Sequence, residues 1–136
     1  MGSGRVALVN AHDDNLEANV FARACGSREA LQNVTGRWGA LALAALAEGT
    51  FRFNELRRRV DGVSERMLAQ TLQSLERDGL VVRTVVQAIP PRVEYSLTPL
   101  GVRAAESLVA LIEVLESGLG DIVAARDAYD EQRNVS

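Results

Sequence analysis

Residues 53–80 read FNELRRRVDGVSERMLAQTLQSLERDGL, and the spacing of their apolar residues decides the fold. Leu68, Leu72 and Leu75 recur at the i, i+4, i+7 interval of a single buried helix face. Ser64, just ahead of them, offers an N-cap oxygen, Glu65 suits the positive first turn, and Gly79 ends the run. Upstream, Asn54 caps or opens another helix, in which Leu56 and Val60 face inward while Arg57, Arg58 and Arg59 mostly point out. Asp61-Gly62 makes the turn between them. Two helices joined by a short glycine-containing turn form a helix-turn-helix.

The flanks extend this unit. Trp38, Leu41, Ala42, Ala45 and Leu46 fall at helical spacing, with Gly49 just past the end where a left-handed residue is wanted, and residues 50–53 read as a short extended piece. Leu80 to Gln87 is a valine-rich strand, and Arg92 to Leu97 alternates, with Val93, Tyr95 and Leu97 on one face. Between them, Ala88-Ile89-Pro90-Pro91 is a loop, because neither proline can donate to a ladder. Thr98 as N-cap and Pro99 at the first helical position open a helix to about Ser117, which carries Val102, Ala105, Leu108, Val109, Ile112 and Leu115. Gly118-Leu119-Gly120 breaks it, and Ile122, Val123, Ala125 and Tyr129 suggest a final short helix. The expected fold is mainly α with a small β-hairpin (α+β), a winged helix-turn-helix domain with flanking dimerisation helices. It divides into an N-terminal arm and helix for dimer contact (1–27), a DNA-binding domain (28–100) and C-terminal dimerisation helices (101–136).

Composition sets the limits. With 136 residues, 47% of them hydrophobic, the chain suits one domain rather than two, and disordered or collagen-like classes are excluded. One cysteine rules out a disulfide scaffold within the chain. Met1 to Leu16 lacks the charge and apolar length of a signal peptide, and the longest apolar run, Gly39 to Ala47, is about half a bilayer crossing. A cytoplasmic protein without membrane contact is expected. The net charge of -3 at first argues against nucleic acid, but its distribution reverses that reading. Residues 28–103 carry eleven Arg against eight acids, whereas residues 104–136 carry two Arg against seven.

In a winged helix the third helix (here about 64–78) enters the major groove of double-stranded DNA and the wing (about 87–93) reaches the flanking backbone. Ser64, Arg66, Met67, Gln70 and Thr71 are the candidate base readers, with Gln73 and Ser74 on the same outward face. Arg52, Arg58, Arg59 and Arg92 are candidate contacts around that helix, and Arg77, farther back, suits a phosphate or a surface ion pair. Any amphipathic helix has a polar outer face, and an arginine run is most often solvated surface. The order of elements joined to local basicity is what singles out DNA.

Leu31 through Gly101 also resembles the HxlR-type winged helix transcriptional regulators of bacteria. The resemblance is carried by Gly36-Arg37-Trp38, by residues 49–56, 63–68 and 75–81, and above all by the run Pro-Pro-Arg-Val-Glu-Tyr-Ser-Leu-Thr at 90–98. Gly26 and Thr71 depart from it, standing where the family usually has proline and a basic residue. The resemblance implies a homodimeric repressor or activator on a two-fold related operator, with the apolar stripe of the Pro99 helix needing a partner. It further implies that Cys25 senses oxidants or electrophiles, a role that Arg23 and Arg28 would assist by favouring the thiolate. The other reading of Cys25 is a buried, inert thiol at the dimer contact.

A small-molecule effector between the winged domain and the dimer helices stays open, with Trp38 as wall or as core. His12-Asp13-Asp14 is too contiguous to converge on a metal, no cofactor is called for, and no nucleophile with a histidine base is found, so no enzyme is expected. The alternative function is a winged-helix module that binds proteins or small molecules without operator recognition.

Overall fold

The computed structural model describes residues 19–22 and 25–135. Their elements are α1 (Gly26–Thr35), α2 (Gly39–Leu46), β1 (Phe51–Arg52), α3 (Phe53–Arg59), α4 (Glu65–Arg77), β2 (Val81–Gln87), β3 (Arg92–Leu97), α5 (Pro99–Ser117) and α6 (Leu119–Val135). Most of the expected N-terminal contact arm (1–27), with the His12 cluster, lies outside the described residues.

The leucine spacing of α4 does what it promises, for Leu68, Leu72 and Leu75 are fully buried beside Leu56 of α3 and Leu43 of α2. The Met67 N–H donates to Ser64 Oγ at 3.1 Å, so Ser64 caps α4. Helix α3 starts one residue earlier than Asn54 would place it. Arg52 is its N-cap, and Glu55 Oε1 accepts from the Arg52 N–H at 2.8 Å. In α2 the inward residues are Ala42, Leu43, Ala45 and Leu46, while Leu41 stays exposed. Its sequence, GALALAAL, is apolar on every side and holds no periodic contrast to fix its phase. Trp38 packs against this core rather than standing as an isolated wall.

The hairpin is part of a three-stranded antiparallel sheet in the order β1-β3-β2. Phe51 pairs with Tyr95 and Arg52 with Glu94, so the short extended piece fastens the root of the hairpin to the start of α3. Val85 pairs with Val93 and Gln87 with Arg92, leaving an irregularity between Val85 and Gln87 at the hairpin's outer end.

Helix α5 joins the core through Gly101, Ala105 and Leu108. Its first turn is seated on the residues that follow α4. Thr98 Oγ1 accepts from the Gly101 N–H at 3.0 Å and donates to the Gly79 carbonyl at 2.6 Å. The Thr98 N–H donates to the Leu80 carbonyl at 3.1 Å. A Cβ at Gly101 would overlap that same Leu80 oxygen, so the two backbones meet with no side chain between them. Beyond Leu108 the helix leaves the core, and Leu111, Val114 and Leu115 are exposed. Gly118 caps α5, but Leu119 and Gly120 already belong to α6, which at 17 residues is longer than the short helix expected and has no buried residue. Among the described residues no helix is long and apolar enough to cross a membrane.

Candidate nucleic-acid interface

Because α4 buries one leucine face, the rest of its surface is turned outward. Ser64, Arg66, Met67 and Gln70 are exposed, and Thr71 and Ser74 are half-buried at the edge of that face. Ser64 is engaged as the cap, with its own O–H left to donate. The Arg side chain offers paired donors and the Gln side chain a donor beside an acceptor, patterns that read base edges, whereas Ser and Thr serve either bases or phosphates.

Two clefts border this surface. One, of about 670 Å³, lies between the start of α3 and the wing, and Arg52, Arg58 and Arg92 line it together with Asn54, Glu55, Pro90 and Pro91. The Glu55 carboxyl is held below its ordinary range, first by the Arg52 N–H, against the opposing cost of desolvation, and then by the charges of Arg52, Arg58 and Arg92. Three cations thus surround one carboxylate, and the cleft keeps a positive excess. The Arg52–Glu55 and Arg92–Glu94 pairs are both loose, at 3.7 Å, with exposed arginines and half-buried carboxylates, so a phosphate can take up either guanidinium at little cost. The other cleft, of about 370 Å³, runs between the α1–α2 link and α4, with Gln32 and Arg37 on one bank and Met67, Gln70, Thr71 and Ser74 on the other.

The expected arginines do not all gather here. Arg59 turns away, its Nε donating to Glu48 Oε1 at 2.9 Å, and it lines a separate cleft with Leu41, Val109 and Ile112. Glu48 is held low by that hydrogen bond, and the Arg59 guanidinium is raised by it. Arg77 takes the ion-pair role, 3.1 Å from Glu29 of α1. Arg37 was missed, because it belongs to a link between helices and no periodicity marks it. Its one signal in the sequence was its place in the Gly36-Arg37-Trp38 segment.

Cys25 is half-buried and occupies the N-cap position of α1. Its Sγ lies 2.8 Å from Ser27 Oγ. That hydroxyl is the main reason its thiol is lowered from the ordinary value. Desolvation opposes the shift, and the backbone N–H groups of Ser27, Arg28 and Asn19 support it. Arg28 thus acts on the thiol through its amide, and Arg23 lies outside the described residues. No group of three potential metal-ligating side chains occurs among the described residues.

The chain as a whole is similar to known regulators. The chain is 54% identical over 111 residues to the uncharacterised HTH-type transcriptional regulator YtfH of Escherichia coli (strain K12), covering 82% of this chain and 88% of that one. A solved structure of ytfH from Salmonella typhimurium matches with a TM-score of 0.76 and 51% identity, covering 82% of this chain and 99% of that one. The redox regulator HypR in its reduced form matches with a TM-score of 0.66 and 34% identity, over 72% of this chain and 97% of that one. The HxlR-like helix-turn-helix family model matches residues 33–121, which include α2 through α5. The chain therefore belongs to the HxlR-like helix-turn-helix family and is a transcriptional regulator of the winged-helix type.

Proposed function

We propose that two copies of this chain act together on a two-fold related DNA operator. The observation that carries this reading is the outward face of α4, bordered by a cleft in which Arg52, Arg58 and Arg92 converge. In the complex α4 enters the major groove with Arg66, Met67, Gln70 and Thr71 toward the bases, and Ser64 and Ser74 at the edges. Arg52, Arg58 and Arg92 hold the flanking phosphates, and the turn at residues 88–91 reaches past the groove. The exposed apolar residues Leu111, Val114 and Leu115 of α5 supply the contact between copies, which sets two recognition helices about one helical turn apart.

Cys25 is the effector site in this reading. A half-buried thiol with a lowered pKa at a helix start favours the thiolate, the form that oxidants and electrophiles attack. The name of HypR as a redox regulator supports this assignment.

The test is a mobility shift on the protein's own upstream DNA against a random duplex of equal length. Tighter binding to the former, at two chains per site, is expected. Equal binding to both would favour a winged-helix interaction module instead. Replacing Cys25 by Ser should abolish release of the DNA by a quinone, and unchanged release would remove Cys25 as the sensor.

A further inference from the structure

Arg37 sits in the link between α1 and α2, outside the recognition helix and the wing. Its guanidinium carbon lies 4.7 Å from the centroid of the Trp38 ring, and a ring face at that distance steadies a flat cation. The indole is itself fixed, because it packs on the core and its Cη2 reaches to 3.7 Å from the Cβ position of Gly62, in the turn between α3 and α4. Two tethers hold α1 beside α4. Asn33 Nδ2 donates to Asp78 Oδ2 at 2.8 Å, and Arg77 pairs with Glu29 at 3.1 Å. The position of Arg37 on the same cleft as Gln70 and Ser74 is therefore set by the core packing of Trp38 and by these tethers, not by the reach of its own side chain. Arg37 is exposed, and among the described residues it has no carboxylate within ion-pair distance.

We infer that Arg37 grips a backbone phosphate beside the groove that α4 enters, with Trp38 as the platform for its guanidinium. The ring steadies the guanidinium from one side, and the N–H groups turned away from it match a phosphate. A phosphate is indicated rather than a base because Arg37 stands off α4, on the bank of the cleft, where a residue meets the groove wall before its floor. This inference rests on the proposed DNA binding and adds to it an anchor on the α1–α2 side of the recognition helix.

The experiment is a fluorescence-anisotropy titration of the full chain on a random duplex of about 30 bp, between about 50 and 200 mM salt. Arg37→Ala should bind several-fold more weakly, and its slope of log K against log salt should be shallower by about 0.9 for each protomer engaged. Arg37→Gln keeps the stem against Trp38 and removes only the charge, so it should give the same shallower slope even if the alanine variant folds poorly. The loss should be equal on random and on promoter DNA. Wild-type slopes in both variants, or a loss confined to one sequence, would overturn the phosphate assignment while leaving the proposed function standing. A wild-type chain that binds no duplex at the lowest salt would overturn both.

Discussion

Replacing Thr98 by Ala removes the two hydrogen bonds that seat α5 on the end of α4. The Gly101 N–H loses its acceptor at 3.0 Å, and the Gly79 carbonyl loses a donor at 2.6 Å. Loss of an N-cap hydroxyl costs about 1 kcal/mol, and loss of the second bond about another 1 kcal/mol. The Thr98 N–H bond to the Leu80 carbonyl is a backbone bond and survives the change. The total of about 2 kcal/mol corresponds to a fall in melting temperature of about 8 °C, at about 4 °C per kcal/mol for a chain of this size. Thermal and urea melts followed by circular dichroism would measure it, at one fixed protein concentration because the proposed dimerisation would shift the midpoint by mass action. Thr98→Ser keeps the hydroxyl and should stay close to wild type, whereas Thr98→Val keeps the shape without the hydroxyl and should resemble alanine. A serine variant as unstable as the alanine one, or a valine variant as stable as wild type, would refute the assignment to the hydroxyl.

Other outcomes follow from the site. Arg58→Ala should make the salt dependence of DNA binding shallower by about 0.9 per protomer, whereas Arg59→Ala, already paired with Glu48, should leave it unchanged. In iodoacetamide labelling, Cys25 should react with a pH midpoint below that of an ordinary thiol, since a lowered pKa keeps the thiolate present at lower pH. Ser27→Ala should move that midpoint upward, because the Ser27 hydroxyl is the main cause of the shift. Val114→Glu, at a position 64% exposed on α5, should yield monomers in gel filtration and weaken operator binding steeply. Leu72→Ala should cost about 2–5 kcal/mol in a chemical melt, as expected for a leucine in a filled core.

What the sequence disclosed depended on contrast. In α4 three leucines stand among polar residues, so its buried face, its cap and its outward residues could all be read in advance. In α2 apolar residues surround the helix, and Leu43 could not be told from Leu41. Helix α1 has no fully buried residue and no side-chain cap, so periodicity did not reveal it, although it places Arg37 beside the recognition face. Arg57, Arg58 and Arg59 form one run whose members cannot be sorted without knowing where Glu48 lies. The pairing of Phe51 with Tyr95 joins residues far apart in the chain, and a two-residue strand carries too little alternation to announce a partner.

The seat of α5 on Leu80 has a mechanical consequence. Where two elements touch through side chains, rotamer changes let one shift while the other stays. At Gly101 there is no side chain to yield, so α5 behaves as an axle keyed to the reading head. In the proposed dimer built on α5, a tilt of one axle against the other would carry into the separation and angle of the two reading heads. In the proposed dimer, an effector that altered how the axles cross would reset the spacing of both heads against the pitch of the duplex without coming near the DNA.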